Sequence, residues 1–341
     1  MNKQNTKRKK FVVGGEAIGL KQRKILNIDI GHLYDFTSLH IPIEVIRGYK
    51  EGPVLFLSGA IHGDEINGSE IIRRVISKLN LNTMVGTVIA APVINVFGFN
   101  TKSRYLPDRR DLNRSFPGSK TGSLAAQMAK IFMNEIVSKA THGIDFHTGA
   151  VHRFNVPQIR ACIEDPKTKS LAKAFNAKVI INSKLRDGSL REAARKKGVT
   201  TLLFEGGEAL RFDEDVIKSG VKGTLSVLNY LGMIPSPKYK QSCDSAIAKD
   251  SFWVRSPCGG SMKTMKKAGE NVVKGDCLAE IQDLLGKEKI EVKAPSSGII
   301  IGRTRLPLVN KGDALFHIAT KRKLSKSQMR LVSYDKDTEK L

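Results

Sequence analysis

The chain has 341 residues, 40% of them apolar and 26% charged, and no apolar run of the roughly 18 residues that a membrane span needs. Its 57 Lys and Arg against 33 Asp and Glu leave a formal charge of +24, so anionic partners are drawn to its surface. Aromatics make up only 6%, and no RNP-like, zinc-finger or helix-turn-helix pattern accompanies the charge, which argues against sequence-specific nucleic-acid recognition.

The basic start, Met1 to Lys10, leads into Phe11–Leu20, where three Gly and a Glu exclude the apolar stretch of a signal peptide. From about residue 40 to 235, apolar β-rich runs alternate with helical patterns. Pro53–Ala60 is a continuous apolar run, as a buried parallel strand requires. Ile72, Val75, Ile76 and Leu79 then fall on one face of a helix. Gly86–Asn95 reads as a strand and Ser123–Lys139 as a helix. Gly143–His147, Pro157–Ile163 and Ala177–Asn182 read as strands, and Leu190–Lys197 as a helix ending at Gly198. Thr200–Glu205 is the last strand of this part, stopped by Gly206-Gly207. Such alternation predicts an α/β sheet covered on both faces.

Pro235-Ser-Pro-Lys238 marks a linker, and the remainder changes to short β runs broken by Gly and Pro. Val273–Ile281 and Val309–Ile318 repeat one pattern, each with a Lys-Gly-Asp turn, which predicts a small all-β barrel-sandwich made of two similar halves. The expected organisation is a basic tail at 1–10, an α/β domain at 11–238, the β domain at 245–320 and a polar tail at 321–341. Four cysteines (Cys162, Cys243, Cys258, Cys277) stand far apart without CxxC spacing and read as reduced thiols, which points to the cytoplasm.

Four segments carry chemistry. In Ser58-Gly-Ala-Ile-His62-Gly-Asp-Glu65 a buried strand ends in a turn, and one helical turn would set His62 and Glu65 on the same side. Zinc accepts imidazole nitrogen and carboxylate oxygen at about 2.0–2.2 Å, and catalytic sites keep a further position for water. α/β sheets bind ligands beyond the carboxyl ends of their strands, where this segment lies. Gly143-Ile-Asp145-Phe-His147 ends a second strand on a His, with Asp145 on the same face to orient the ring or touch substrate. Arg104 through Gly118 is a long loop whose Arg and Asn side chains suit a carboxylate or oxyanion. Glu205, ending an apolar strand before Gly-Gly, occupies a good general-base position. Taken singly, each of these is more often a cap, a core hydrogen bond or a salt bridge.

Together and in this order, the four segments resemble the succinylglutamate desuccinylase/aspartoacylase family, a branch of the zinc carboxypeptidase-like superfamily, over about residues 10–320. The family pattern H-G-[DE]-E, R-Y…D-L-N-R-x-F-P-G, D-x-H-T and E-x-G falls on His62–Glu65, Arg104–Gly118, Asp145–Thr148 and Glu205–Gly207. The resemblance implies a zinc-carboxypeptidase-like mixed sheet flanked by helices, with one Zn2+ per subunit held by His62, Glu65 and His147. It implies Glu205 as general base, Arg104 as oxyanion stabiliser, and Asn113 and Arg114 as the carboxylate grip. The stretch between Arg104 and Asn113 is longer than in animal aspartoacylases, and the active-site tyrosine of classical carboxypeptidases has no counterpart that the sequence places. Arg160, on the strand after His147, is a further candidate for substrate contact.

The C-terminal repeat resembles biotinyl/lipoyl domains, yet the link between its halves, Asp283–Glu291, lacks a Met-Lys-Met or Asp-Lys-Ala hairpin, so no attached biotin or lipoate is expected. The domain is expected to cover the cleft mouth and limit substrate size, or to mediate assembly into a homo-oligomer. Three readings of function follow. The first is a deacylase that hydrolyses the amide of an N-acyl amino acid or related small carboxylate-bearing substrate. The second is a carboxypeptidase that removes acidic residues from a protein tail, drawn in by the +24 charge. The third is a noncatalytic anion- or nucleic-acid-binding module, against which the four intact motifs speak.

Overall fold

The computed structural model describes residues 11–235 and 245–321. The basic N-terminal tail, the linker after Pro235 with Cys243, and the tail from 322 onward lie outside the described residues. A hairpin, β1 (Phe11–Val13) and β2 (Glu16–Ile18), leads into β3 (Gln22–His32), β4 (Ser38–Arg47) and β5 (Lys50–Ser58). Then come α1 (Asn67–Ile76), β6 (Val85–Ala91), α2 (Val96–Thr101), α3 (Leu124–Glu135), β7 (His142–Gly149) and β8 (Arg153–Ala161). α4 (Pro166–Phe175), β9 (Val179–Asn182), α5 (Leu190–Lys196), β10 (Thr200–Glu208) and α6 (Glu214–Tyr230) complete the first part.

The centre of the sheet is parallel: β6, β5, β7 and β10 lie side by side, pointing the same way. Parallel strands are covered on both faces, and their sequences are correspondingly apolar throughout; β7 is buried from Gly143 to Gly149. One face packs on α1, α4 and α6 through Ile71, Ile72, Phe175, Ile217 and Val221. The opposite face packs on α3 and α5 through Met128, Phe132, Leu190 and Ala194. Side chains start α3, α4, α5 and α6 as N-caps: Ser123 receives Ala126 N, Asp165 receives Thr168 N, Ser189 receives Glu192 N and Asp213 receives Val216 N. α5 ends as its sequence predicts, with Gly198 at φ +77 donating its N–H to Arg195 O. The predicted helix over Ser123–Lys139 is shorter as an α-helix and closes with a 3-10 turn at Val137–Lys139.

The rest is all β: β11 (Ala246–Ala248), β12 (Asp250–Arg255), β13 (Gly260–Thr264), β14 (Asn271–Val272), β15 (Cys277–Gln282), β16 (Lys289–Lys293), β17 (Gly298–Thr304), β18 (Leu308–Val309) and β19 (Ala314–Thr320). A four-stranded sheet of β16, β15, β13 and β18 closes over β12, β19 and β17 around Leu278, Ile281, Ile300, Phe316 and Ile318. The internal repeat is visible in its turns. Asp276 accepts Val273 N and Asp313 accepts Asn310 N, and Gly275 and Gly312 take matching φ values of +96 and +89. That left-handed conformation is why each turn carries Gly between Lys and Asp.

These strands do not stand apart from the first part. The outer edge of β8 is divided: Gln158–Ala161 pairs with β9, and Arg153–Asn155 pairs antiparallel with β17. One continuous ladder therefore runs from the α/β sheet into the C-terminal sandwich. Phe204, fully buried on β10, meets Phe146 at 5.8 Å and Phe175 at 5.5 Å between ring centroids. Phe204→Ala is expected to cost about 3–5 kcal/mol, as large-to-small changes of a buried Phe do, measured by urea denaturation.

Candidate metal centre and cleft

Three parallel strands deliver the chemistry at their carboxyl ends. Ser58 on β5 stands opposite Asp145 on β7, and His147 on β7 stands opposite Glu205 on β10. After β5 the chain turns sharply, with Glu65 N bonded to His62 O at 3.1 Å, before α1 begins at Asn67. His62 and Glu65 thus share a side through this turn and not through the helix itself.

His62, Glu65 and His147 offer ligand atoms that all lie within 4.8 Å of one another, and all three side chains are buried. Each imidazole has one nitrogen on a carboxylate outside the group. His62 Nε2 lies 3.0 Å from Asp111, and His147 Nε2 lies 2.8 Å from Asp145. Asp145 is fully buried, and its other oxygen accepts the Ser58 hydroxyl at 2.7 Å, so both its oxygens are committed to structure. The remaining nitrogens, Nδ1 of each ring, face Glu65 at 2.8 Å. The approach at His62 is off axis, which leaves that buried Nδ1 without a hydrogen-bond partner.

The electrostatics point to a cation among these groups. Burial favours the protonated Glu65, but His62 and His147 outweigh it and hold the carboxyl well below the usual range. Burial opposes a charge on His147, yet Asp145 and Glu65 hold its proton affinity well above an ordinary imidazole's. His62 is raised in the same way, against its burial, by Glu65 and Asp111. An N-O-N donor set with an orphaned ring nitrogen and two orienting carboxylates fits a divalent metal ion, for which neutral imidazole and carboxylate are ordinary ligands.

The group opens into a cleft of about 340 Å³, within the range of small-ligand sites. Arg104 lines it, bonded to Glu65 and Asp111, each at 3.0 Å. Glu205 lines it too, 3.5 Å from Arg160 Nε and accepting Asn155 Nδ2 at 2.7 Å. Arg160 lines the cleft as well, its Nε at ion-pair distance from Glu205 and without a hydrogen-bond partner. Asn113 faces the cleft, but its Oδ1 accepts Leu190 N at 2.9 Å, which commits that oxygen to the start of α5. Arg114 also lines the cleft and bonds the Asn113 carbonyl; burial, with Arg186 and Arg104 nearby, lowers its proton affinity.

Several residues here escape sequence reasoning. Arg191 on α5 is buried, with Nη1 on Arg160 O and Nη2 on Ser183 Oγ, both at 3.3 Å, and its Nε unpaired. Burial, with Arg160 close by, pulls its proton affinity down to about 10. Trp253 reaches the cleft from β12, stacked on His317 at 4.5 Å with Arg153 over its ring at 5.4 Å. Among the described residues, no carboxylate lies within ion-pair distance of Arg114, Arg153, Lys184, Arg186 or Arg191, so the free charge of the cleft is positive. Only Asp111 left a usable signal, lying inside the D-L-N-R motif; the others belong to segments without one.

A mixed sheet with a parallel centre, and beyond its strand ends a buried His-Glu-His group that could hold a metal ion beside a carboxylate and an arginine-lined cleft, is the zinc-carboxypeptidase-like arrangement. Residues 51–231 match the succinylglutamate desuccinylase/aspartoacylase catalytic domain, and the chain belongs to that family of hydrolases acting on C–N amide bonds. It is 28% identical over 299 residues, 83% of its own length and 86% of the relative's, to the N-alpha-acetyl-L-2,4-diaminobutyric acid deacetylase of Halomonas elongata. The product-bound ectoine utilization protein EutE of Ruegeria pomeroyi superposes with a TM-score of 0.79 at 27% identity, over 89% of this chain and 97% of that one. A succinylglutamate desuccinylase from a Silicibacter species superposes with a TM-score of 0.78 at 26% identity, over the same shares.

The turn that carries His62 is packed against a neighbouring backbone. A Cβ on Gly63 would stand 1.9 Å from the Gly98 carbonyl carbon and 2.2 Å from Phe99 N. Gly63→Ala is expected to cost at least about 1–3 kcal/mol, as overpacking does, and to lower metal content by shifting His62. Thermal unfolding and metal analysis of the purified variant read the two effects.

Proposed function

We propose that this chain is a cytoplasmic, zinc-dependent deacylase of N-acyl amino acids, with a preference for substrates whose amino-acid part carries a second negative charge. The observation that carries this reading is a single cleft holding the His62-Glu65-His147 group, Glu205 and several cations without carboxylate partners. His62, Glu65 and His147 would hold the ion, and zinc when bound supplies a polarised scissile carbonyl and a water of lowered pKa.

The chain's own residues do the rest. Glu205 takes the proton from the attacking water and passes it to the leaving amine, with Asn155 holding one of its oxygens. Arg104 has two of its five N–H donors engaged by Glu65 and Asp111, and those bonds aim the guanidinium so that the others stabilise the developing oxyanion. Arg114 grips the substrate carboxylate, and Asn113 sets its place by anchoring the loop to α5. Arg186 and Arg191 add positive potential beyond it. No helix of the described residues is long and apolar enough to cross a membrane.

Chelation should abolish turnover, and Glu205→Gln should lower kcat by about 10²–10⁴-fold with zinc content unchanged, because general-base catalysis contributes that much. A Glu205→Gln variant with normal turnover would sink the mechanism.

The deacetylase relative is named for a substrate whose side chain is an amine, and a cationic cleft disfavours such a group because like charges brought together cost several kcal/mol. N-acetyl-aspartate or N-acetyl-glutamate should therefore exceed N-acetyl-2,4-diaminobutyrate in kcat/KM by at least about tenfold. The opposite order, in parallel assays, removes the charge preference. The same cationic cleft and the +24 chain favour a second reading, removal of acidic residues from a peptide C-terminus. Peptides ending in glutamate, assayed beside the acyl amino acids, separate the two, since only one class should turn over efficiently.

A further inference from the structure

The strand that carries Glu205 is irregular where it matters. Its pairing with β7 shifts register between Glu205 and Glu208, and its pairing with β8 shifts between Glu205 and Gly207. A bulge re-aims side chains and leaves part of the ladder unmade, so side-chain contacts set where the Glu205 carboxylate points. There are two. Arg160 Nε lies 3.5 Å from Oε1, and Asn155 Nδ2 donates to Oε2 at 2.7 Å. The second is the shorter and the more directional.

Asn155 is itself held from both sides. It sits on β8 opposite Gly207 of β10, and on its other flank opposite Gly302 of β17, a strand of the C-terminal sandwich. A Cβ on Gly302 would stand 2.4 Å from Asn155 Oδ1 and 3.2 Å from Phe154 O. Gly302 does not take a positive φ, so its lack of a side chain serves space and not backbone conformation. The same end of the cleft is tied again where Arg305, just past β17, reaches Glu208 at 3.0 Å.

We infer that Asn155 is the positioning residue for Glu205, and that the C-terminal sandwich holds it in place through the bare backbone of Gly302. The inference rests on Glu205 being the general base. It makes the C-terminal part a structural member of the active site, because β17 supplies the wall against which the Asn155 amide is oriented. A group that orients a catalytic carboxylate acts on the chemical step and leaves substrate affinity largely alone.

The test uses the full-length zinc-loaded enzyme and four variants. Asn155→Ala should lower kcat about 10–100-fold, the range seen when outer-shell partners are removed, with KM within about threefold and zinc content intact. Asn155→Asp keeps the shape but sets a carboxylate beside Glu205, and should lower kcat further than Ala does. Gly302→Ala, which lies outside the cleft, should lower kcat about tenfold by pushing the Asn155 side chain aside, since small misplacements cost that much or more. In Asn155→Ala/Gly302→Ala the two losses should not add, because the side chain that transmits the push is gone. Unfolding temperature and zinc content, measured on each variant, separate misfolding from misplacement. The inference fails if Asn155→Ala keeps full kcat, if it raises KM alone as a substrate contact would, or if the two losses add. Should Glu205→Gln itself prove active, the general-base reading fails first, and the two failures are distinguishable.

Discussion

A buried carboxylate between two buried imidazoles is the feature around which the rest is arranged. Glu65 lies out of solvent, where an isolated charge is very costly, and it is kept ionised by hydrogen bonds from His147, Arg104 and the Thr148 N–H, with the His62 ring 2.8 Å away. The rings in turn need acceptors, and Asp111 and Asp145 supply them from two different segments. His62, His147 and Asp145 are buried and Asp111 and Arg104 partly so, and the cluster holds only if strands β5 and β7 and the loop after α2 arrive together. The Ser58–Asp145 bond, the close approach of Gly63 to Gly98 and the apolar strands below all serve that arrival.

Charge is distributed unevenly between the floor of the cleft and its walls. On the floor, acids and bases are matched, and Arg104 bonds both Glu65 and Asp111. On the walls the arginines outnumber the carboxylates, and Arg191 is kept there despite a burial that disfavours its charge. Such a surplus is tolerable where an anionic ligand completes it, and it supports a substrate with more than one negative group. The net charge of the whole chain, +24, has the same sign.

The division of one strand edge links the two halves of the molecule. β8 gives half its outer edge to β9 and half to β17, so the sandwich is joined through backbone hydrogen bonds and not through a loose contact of surfaces. Trp253 and Gly302 then bring the C-terminal part to the cleft, one as wall and one as spacer.

Much of this was legible in the sequence. Apolar runs, caps and turn residues mark the central strands, α3, α5 and the paired Lys-Gly-Asp turns, because local periodicity and local hydrogen bonding leave local traces. His62, Glu65, His147, Arg104 and Glu205 stood out as strand-end or loop residues of reactive type, and the fold gathers all five at one cleft. α6 carries no expectation from the sequence; in the fold a Cβ on Gly220 would meet Ile71 at 2.5 Å and one on Gly223 would meet Phe175 at 2.1 Å. Arg160 and Asn113 both line the cleft, and the fold adds what the sequence did not show, the nearness of Arg160 to Glu205 and the bond from Leu190 N to the Asn113 amide oxygen. Sequence by itself thus determined which residues could do chemistry and which strand ends present them. Only tertiary structure decided which atoms remain free, how the charges balance, and that Gly302 stands against Asn155 beside Glu205. Those outcomes depend on contacts between residues far apart in the chain, and such contacts leave no periodicity to read.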